Sequence, residues 1–333
     1  MHIATLTKPV TFAKAPLHPG RYVLDDMAAG NLLLAEPDSV RLDFVNIPSQ
    51  VMCPQAGETM TVIHSGGFGD LLWLNSVYER LPAGAQIEHA CYPFYAAVLN
   101  GFVACVRPYP ILLHGFGPGI TLERVVSHPP CVGEHPADRF SRAFGLPPGK
   151  KKAEYRVTQE EQAWAEALWP RTGKRRVAVQ AESSVRIKNY PHLSELIWLL
   201  HKAGLELVIV GAPMQGNPAQ VPPGILDCRL LGHSVRESFA LAGRCDACVG
   251  ADSVLIHLAH ALDIPALGLF GAFDGRTYMQ GYEGRYLQGR RACSPCHLQW
   301  PQGRPAHCVE DCTALGDIPA AQVVSELLER VLR

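Results

Sequence analysis

Residues 247–271 read ACVGADSVLIHLAHALDIPALGLFG, and this stretch indicates the fold class. The short apolar run Ala247–Gly250 predicts a strand, and Ser253–Leu262 has the length and apolar content of a helix. A second apolar run, Ala266–Gly271, predicts another strand. Because strands that alternate with helices form βαβ units, the stretch predicts a parallel sheet covered by helices on both faces.

The same alternation extends over the second half of the chain. Val177–Ala181 and Leu205–Gly211 predict strands, and the second is nearly all apolar, as expected where both faces are buried. A helix starting at Pro191 and ended by Gly204 is predicted between them by apolar residues at helical spacing: Leu193, Leu196, Ile197 and Leu200. Ser234 and Glu237 have the spacing of a capping box. A last helix is predicted over Pro319–Leu332.

The first half predicts a second set of such units. Thr61–Ser65 is a strand candidate, a glycine-rich turn follows, and Asp70 opens a helix that runs to Leu81. Gln86–Cys91 predicts another strand and His135–Leu146 a helix. A capping box of the Thr-x-x-Glu form at Thr158 predicts the next helix.

The prediction is therefore three regions. Residues 1–56 hold short, turn-punctuated apolar pieces, including 31–34 and 40–42, and predict a small β-rich extension. Residues 57–170 and 171–333 predict two α/β Rossmann-like domains in tandem. Because ligands bind at the carboxyl edges of parallel sheets, we expect the active site in a cleft between these domains.

Composition excludes several classes of function. The 333 residues are 47% hydrophobic, and 30 Lys and Arg balance 31 Asp and Glu. No positive field is available to collect nucleic acid, and the run Lys150–Lys152 is typical of a solvated loop. No window of about 20 apolar residues can span a bilayer, and the first residues lack the form of a secretory signal. We expect a cytoplasmic protein.

The turn before the first long helix reads Gly66-Gly67-Phe68-Gly69-Asp70. Glycines let the backbone approach a ligand, and a helix N-terminus favours negative charge. The turn is neither a P-loop nor a Gly-x-Gly-x-x-Gly motif, so a dehydrogenase cofactor is not supported. Spacing alone leaves Asp70 open between a helix N-cap and a functional carboxylate.

Two further segments carry groups suited to phosphate. The loop after the strand at 177–181 contains Ser183, Ser184, Arg186 and Lys188. Their hydroxyl and cationic groups suit a diphosphate, and the alternative is an ordinary polar loop. In the segment Asp252–His257, Ser253 can cap the following helix, and the helix N-terminus favours phosphate oxygens. The sequence leaves open whether His257 contacts a ligand or only packs in the core.

Four cysteines near the C-terminus have the spacing Cys293-x2-Cys296-x11-Cys308-x3-Cys312. Two close pairs around a short loop are typical of tetrahedral thiolate sites for zinc or iron. Because all four ligands are thiolates, we expect a closed structural site. His297 and His307 are possible substitute ligands, and two disulfides or free buried thiols are the alternatives.

Taken in order, these features resemble glycosyltransferase family 9, the ADP-heptose heptosyltransferases, over residues 60–332. The resemblance depends on Gly69-Asp70 with its helix, on residues 135–146, on Lys188-Asn189-Tyr190-Pro191 and on residues 252–265 running into 269–272. The chain departs from the family at Tyr190, where Trp is usual, and at Val254, where Gly is common.

The resemblance implies a GT-B fold and an inverting sugar transfer from a nucleotide-sugar, ADP-heptose above all, without a catalytic metal. It implies that Asp70 is the general base and that Lys188 steadies the diphosphate leaving group. It further implies a set of donor-binding residues: Ser183, Ser184, Arg186, Asp252, Ser253, His257 and Gly271.

The cysteine segment 293–312 resembles a metal-holding finger in one branch of the family, the autotransporter heptosyltransferases, which modify serines of adhesin proteins and assemble into rings. This implies a structural iron or zinc, a homo-oligomer, and either a protein serine or a lipopolysaccharide-type glycan as acceptor. The alternatives are a nucleotide-sugar 2-epimerase of the same architecture and a non-catalytic binding or assembly protein.

Overall fold

The structure is a computed structural model that describes residues 2–12, 15–24, 26–44, 53–64, 67–109, 111–112, 119–121, 133–183, 186–211, 220–230, 232–297 and 312–332. The chain forms two compact units. Unit 1 comprises Met1–Gly67, Val77–Cys131 and Asp138–Gly149, and unit 2 comprises Phe68–Ser76, Val132–Ala137 and Lys150–Arg333. The predicted border at 56/57 therefore lies inside unit 1, and the one at 170/171 lies inside unit 2.

The elements of the first half are, in chain order, β1 His2–Leu6, β2 Val10–Phe12, β3 Ala15–Leu17, β4 Gly20–Leu24, α1 Asp26–Ala35, β5 Val40–Phe44, β6 Thr59–Ile63, α2 Phe68–Tyr78, β7 Gln86–Cys91, β8 Cys105–Pro108, β9 Ile111–Leu112, β10 Gly119–Thr121 and α3 Pro136–Ala143. A 3-10 helix covers Pro93–Leu99. The predicted strand at 86–91 is confirmed with the same bounds.

The first sheet of unit 1 is antiparallel and has the order β5-β1-β4-β9. It confirms the β-rich character of the extension. One piece of that prediction is wrong, because residues 31–34 lie in α1. Ala29 and Leu32 are both buried and lie three residues apart, a helical spacing that places them on one face against the sheet.

The second sheet of unit 1 is parallel, with the order β10-β6-β7-β8. Ile63 and Ala90, from β6 and β7, belong to the same buried cluster as Leu24 and Leu32 of the extension. The extension and this sheet thus share one core, which explains why the border at 56/57 does not separate compact units.

Unit 2 contains, in chain order, α4 Gln159–Leu168, β11 Arg176–Gln180, α5 Leu193–Lys202, β12 Glu206–Val210, β13 Leu226–Asp227, α6 Val235–Ala242, β14 Ala247–Ala251, α7 Val254–Ala261, β15 Ala266–Phe270, α8 Gly275–Tyr278, β16 Gly284–Gln288 and α9 Ala320–Glu326. Short 3-10 helices cover Arg186–Lys188 and Ala314–Asp317, and a π-helix covers Leu327–Val331.

The six strands that the structure describes in unit 2 form one parallel sheet with the order β13-β12-β11-β14-β15-β16. Every residue of β11, β14 and β15 is buried, as expected for central strands covered on both faces. The capping boxes at Thr158 and Ser234 are confirmed, since each side chain accepts a hydrogen bond from the backbone N–H three residues on. None of the described helices is long and apolar enough to cross a membrane.

Candidate functional site

The candidate site lies in unit 2, beyond the carboxyl ends of β11 and β14. These strands are direct neighbours in the parallel sheet, with Val177 opposite Ala247 and Val179 opposite Val249. Parallel neighbours end at the same edge of a sheet, which is where α/β proteins bind ligands. The loop that carries Lys188 and the turn that carries Asp252 therefore meet there.

Lys188 and Asp252 form an ion pair with 2.9 Å between Nζ and Oδ2. The Asp252 side chain is 5% exposed and that of Lys188 is 24% exposed. The Lys188 ammonium also lies 4.7 Å from the centre of the Phe273 ring. Burial lowers the pKa of Lys188, but the Asp252 carboxylate, aided by the charge of Asp70, raises it above its ordinary value. The site thus contains a permanent cation.

His257 lies one turn into α7, and its ring is buried against the same carboxylate. Its Nε2 is 3.7 Å from Oδ1 of Asp252, and its Nδ1 is 2.5 Å from the hydroxyl of Tyr282. Burial lowers the pKa of His257, and Lys188 also lowers it, against the opposing effect of the carboxylates of Asp252 and Asp70. A neutral imidazole results.

Asp70 lies in the first turn of α2, half-buried. Its negative charge raises the pKa of both Lys188 and His257, so it is close to both groups. The preceding Gly69 packs against the imidazole, since a Cβ built on Gly69 would be 2.6 Å from Cδ2 of His257. Only glycine fits there without moving the ring. The structure therefore brings together Asp70, Lys188, Asp252 and His257.

The N-terminus of α7 differs from the predicted cap. Ser253 is the N-cap residue with extended backbone, but within the described part of the chain its side chain makes no capping hydrogen bond. Instead the backbone N–H of Leu255 donates to Oε1 of Gln180, 3.2 Å away, from the end of β11. The hydroxyl of Ser253, which is half-buried, is therefore not used to cap the helix.

The remaining predicted donor-binding residues differ in burial and in hydrogen bonding. Ser183 is buried, and its backbone N–H donates to Oδ1 of Asn189 at 2.7 Å, while Arg186 is exposed. Ser184 lies outside the described residues. The carbonyl of Gly271 accepts hydrogen bonds from Ser294 Oγ at 2.6 Å and Gln288 Nε2 at 3.0 Å. In this structure Gly271 therefore contacts protein groups on both its carbonyl and its Cα side.

Three residues of the site were missed by sequence reasoning: Gln180, Phe273 and Tyr282. Gln180 lies near the end of the strand predicted at 177–181 and is the last residue of β11, at the ligand-binding edge, which is a usable local signal. No local pattern marks Phe273 or Tyr282, because each reaches the site from a segment far along the chain from its partner. Their contacts are set by the sheet order.

The cysteine segment is described in part. Cys293 is exposed, Cys296 and Cys312 are half-buried, and Cys308 lies outside the described residues. No disulfide joins the described cysteines, and among described residues no group of three or more His, Cys, Asp or Glu could hold a metal. The three described cysteines therefore form no such group, and the four-cysteine site, which includes Cys308, stays a prediction.

The sequence profile of glycosyltransferase family 9 (heptosyltransferase) matches residues 129–297, which is just over half of the 333-residue chain. No curated protein matches the sequence at a significant level.

Solved structures resemble the chain in fold. A family 9 glycosyl transferase from Veillonella parvula DSM 2008 has a TM-score of 0.60 at 12% identity, over 83% of this chain and 98% of that chain. The E. coli ADP-heptose LPS heptosyltransferase II has a TM-score of 0.57 at 15% identity, over 82% of this chain and 98% of that chain.

A third solved relative is TibC from enterotoxigenic E. coli H10407, an iron-containing dodecameric glycosyltransferase, with a TM-score of 0.58 at 13% identity over 98% of this chain and 90% of that chain. A further structure of TibC holds ADP-D-β-D-heptose and matches 100% of this chain and 92% of that chain, at 14% identity and a TM-score of 0.58. Identities this low show the fold alone. The profile match shows the family. The chain belongs to glycosyltransferase family 9 and is a heptosyltransferase-type glycosyltransferase with an α/β fold of parallel sheets.

Proposed function

We propose that the chain transfers heptose from ADP-heptose to a hydroxyl group of an acceptor, with inversion at the anomeric carbon. The observation that carries this proposal is the cluster of Lys188, Asp252 and His257 at the carboxyl edge of the unit 2 sheet, with the charge of Asp70 acting on it. One permanent cation, one neutral imidazole and two carboxylates suit a reaction that releases a diphosphate.

In this mechanism Asp70 takes the proton of the acceptor hydroxyl as its oxygen attacks the anomeric carbon. The bond between that carbon and the diphosphate oxygen breaks, and ADP leaves with the bonding electrons. The half-buried position of Asp70 at a helix N-terminus leaves its carboxylate able to reach an acceptor.

Lys188 neutralises the charge that grows on the diphosphate as it leaves. Such charge is larger in the transition state than in the bound donor, so a fixed cation accelerates transfer and does more than tighten binding. Its pairing with Asp252 holds the ammonium in place before the donor binds. Ser253, whose hydroxyl does not cap α7, is available to a phosphate oxygen, and Asp252 to sugar hydroxyls.

The choice of ADP-heptose is supported by two solved relatives whose names include it, heptosyltransferase II and TibC. The family match favours transfer over 2-epimerisation of a nucleotide-sugar.

We propose a protein hydroxyl as acceptor. TibC matches 98–100% of this chain, whereas the LPS heptosyltransferase II matches 82%. The fuller match supports grouping this chain with TibC, and the sequence itself resembles the autotransporter branch, whose acceptors are protein serines. A homo-oligomer is proposed on the same basis, since TibC is dodecameric.

The test compares Asp70→Asn with wild type for transfer of heptose from ADP-heptose to serine hydroxyls of an adhesin and to a lipopolysaccharide core. We expect ADP to raise the melting temperature of both proteins equally and the variant to lose turnover by about a thousandfold or more. Asp38→Asn changes an exposed carboxyl of unit 1 in the same way and serves as the control. Unchanged transfer by Asp70→Asn would remove this residue from the mechanism.

The donor is tested separately with ADP-, GDP-, UDP- and dTDP-sugars in a thermal-shift screen. A ligand that binds only the native state raises the apparent stability, so we expect the largest shift with ADP-heptose. A larger shift with another nucleotide would contradict the donor assignment. Conversion of donor without any acceptor would support the epimerase instead.

A further inference from the structure

The ring of His257 has two nitrogens, and the structure gives each a different partner. Nδ1 lies 2.5 Å from the hydroxyl of Tyr282, and Nε2 lies 3.7 Å from Oδ1 of Asp252. In a neutral imidazole one nitrogen carries the proton and the other accepts a hydrogen bond. The two partners therefore decide which tautomer is present.

The hydroxyl of Tyr282 has no hydrogen-bond partner other than Nδ1 of His257 among the residues that the structure describes. If Nδ1 carried the proton, the phenolic hydrogen would have no acceptor there, and Nε2 would point a lone pair towards a carboxylate. If Tyr282 donates to Nδ1, the phenolic hydrogen has its acceptor, and Nε2–H faces the carboxylate of Asp252 at 3.7 Å. Leaving a buried donor unmet costs about 1–3 kcal/mol, so the second arrangement is the stable one.

The phenol keeps its proton in this environment. Burial, together with the negative charge of Asp252, raises the pKa of Tyr282 well above its usual range. Tyr282 therefore keeps the hydroxyl proton that it donates to Nδ1 of His257.

Tyr282 is itself held in place by a chain of contacts. Its ring stacks on that of His260, with 3.9 Å between centres and planes 12° apart. The backbone N–H of Ala153 donates to Nδ1 of His260 at 3.3 Å, so Nε2 of His260 carries the proton and donates to the carbonyl of Gly281 at 3.1 Å. The residue before Tyr282 is thus tied to the ring on which Tyr282 stacks.

Trp73 closes the other side of the cluster. It is 1% exposed, and its ring centre lies 5.9 Å from that of His257 and 6.2 Å from that of Tyr282. Trp73 and Asp70 lie three residues apart on α2 and so share a helix face. The ring of His257 therefore has little freedom to turn.

We propose that Tyr282 is a positioning residue that fixes His257 as the neutral Nε2–H tautomer, so that His257 presents an N–H donor to the donor-sugar side of the site. The proposal rests on the proposed function in one respect only, namely that the diphosphate sugar occupies the edge where Lys188 and Asp252 lie. There Nε2–H is free to donate to a phosphate or sugar oxygen, since it lies 3.7 Å from Oδ1 of Asp252.

The experiment measures the tautomer directly in the full-length protein. Two-bond ¹H–¹⁵N spectra of protein labelled at histidine distinguish Nε2–H from Nδ1–H, and the signals of His257 are identified by their loss in His257→Gln. We expect wild-type His257 to be the Nε2–H form. A wild-type spectrum with the proton on Nδ1 overturns the proposal, whatever the variants do.

Tyr282→Phe removes only the hydroxyl. We expect the His257 signals to change to those of a ring that exchanges between both tautomers, whereas Tyr286→Phe, a change on the 36% exposed ring of β16, leaves them unchanged. An Nε2–H signal that persists in Tyr282→Phe overturns the proposal. A variant that does not fold still leaves the wild-type measurement to decide.

Kinetics then separate positioning from stability. In Tyr282→Phe we expect kcat to fall about three- to tenfold, the effect of one hydrogen bond, while the KM for ADP-heptose changes less. If wild-type protein transfers no sugar from any donor, the proposed function fails, and the tautomer measurement still tests Tyr282. A Tyr282→Phe variant with altered tautomer but unchanged kcat overturns the link between the ring and transfer.

Discussion

The ammonium of Lys188 pairs with Asp252 in the free protein and with the diphosphate in the proposed donor complex. Asp252 binds it at 2.9 Å in the free protein, and the proposed diphosphate competes for the same ammonium. A pair with little solvent contact is sensitive to truncation, because the charge left behind stays buried. The stability and the chemistry of the site are therefore linked at one side chain.

Lys188→Met should lower kcat for heptose transfer by about a hundredfold or more, because the transition-state charge on the diphosphate loses its cation. The melting temperature should also fall, since the 5% exposed Asp252 side chain is left without its partner. Lys174→Met removes an exposed lysine of unit 2 and should change neither property. Normal turnover in Lys188→Met would show that another group neutralises the leaving diphosphate.

Single residues of the site were predictable where the chain marks them locally. Asp70 follows a glycine turn and Asp252 follows an apolar strand, so each could be predicted from its neighbours. Ser253 was predicted as a helix cap, but Gln180 bonds the α7 N-terminus in its place, from a strand 75 positions away in the chain. Such a contact depends on sheet order, which local spacing does not encode.

Helix α2 shows how one element links two proposed roles. Its first turn carries Asp70, and Gly69 in the same turn packs directly on the imidazole of His257. Because Gly69 has no side chain, the turn that carries the proposed base Asp70 lies directly against the ring of His257. The positions of these two groups are therefore coupled.

Gly69→Ala should disturb both groups at once. The added Cβ would lie 2.6 Å from Cδ2 of a ring that Tyr282 already holds, so either the ring or the helix must shift. Overpacking of this kind costs about 1–3 kcal/mol, more than the roughly 1 kcal/mol that alanine gains over glycine in a helix. We expect a lower melting temperature and at least a tenfold loss of kcat.

Gly67→Ala is the matched control, because a Cβ there has no heavy atom within 4 Å. It should retain both the stability and the transfer rate of wild type. Equal effects of the two alanines would contradict a specific contact between Gly69 and His257.

At the level of elements, short apolar runs that alternate with helical patterns were a reliable guide, and the run at 31–34 was not. The strands predicted at 177–181, 247–250 and 266–271 are borne out as β11, β14 and β15, with ends that differ by at most one residue. The predicted helix at 319–332 is real but changes from α to π geometry at Leu327. Residues 31–34 were placed with β pieces because three consecutive leucines show no period of their own.

The metal site in the cysteine segment 293–312 is still a prediction, and metal analysis can test it. We expect protein purified without added metal to contain about one iron or zinc per chain, and each of Cys293→Ser, Cys296→Ser, Cys308→Ser and Cys312→Ser to lower that content. Cys245→Ser, a change at a buried thiol outside the segment, is the control. A metal content near zero in wild type would exclude the site.

On the scale of the whole molecule, the family profile covers the residues that hold the proposed donor site and leaves out the first 128. Those first residues build the antiparallel sheet and the parallel sheet of unit 1. The parallel sheet was predicted from strands that alternate with helices, and the extension was predicted only as β-rich, from its short apolar pieces. The sharing of one core by extension and parallel sheet was not predictable, because it depends on long-range packing between Leu24, Ile63 and Ala90.

Each unit also contains a buried neutral histidine, and together they predict how stability depends on pH. Burial, with a contribution from the charge of His64, lowers the pKa of His89 in unit 1 to about 3. Burial, with a contribution from Lys152, lowers the pKa of His260 in unit 2 to about 4. Both rings are hydrogen-bonded at both nitrogens. Nε2 of each donates to a backbone carbonyl, that of His64 for His89 and that of Gly281 for His260, while Nδ1 is bonded to the Tyr78 hydroxyl and to the Ala153 N–H, respectively.

Below pH 6.5 the unfolded chain binds protons at these positions that the folded chain does not, so the free energy of unfolding must fall as the pH falls. The slope is at most roughly 1.4 kcal/mol per pH unit for each histidine. Urea unfolding at pH 7.5, 6.5, 5.5 and 4.5 should show a constant stability above pH 7 and a steady loss below 6.5. His89→Gln and His260→Gln should each reduce that slope. A stability that is flat down to pH 4.5 in wild type would mean that neither ring is kept neutral by burial.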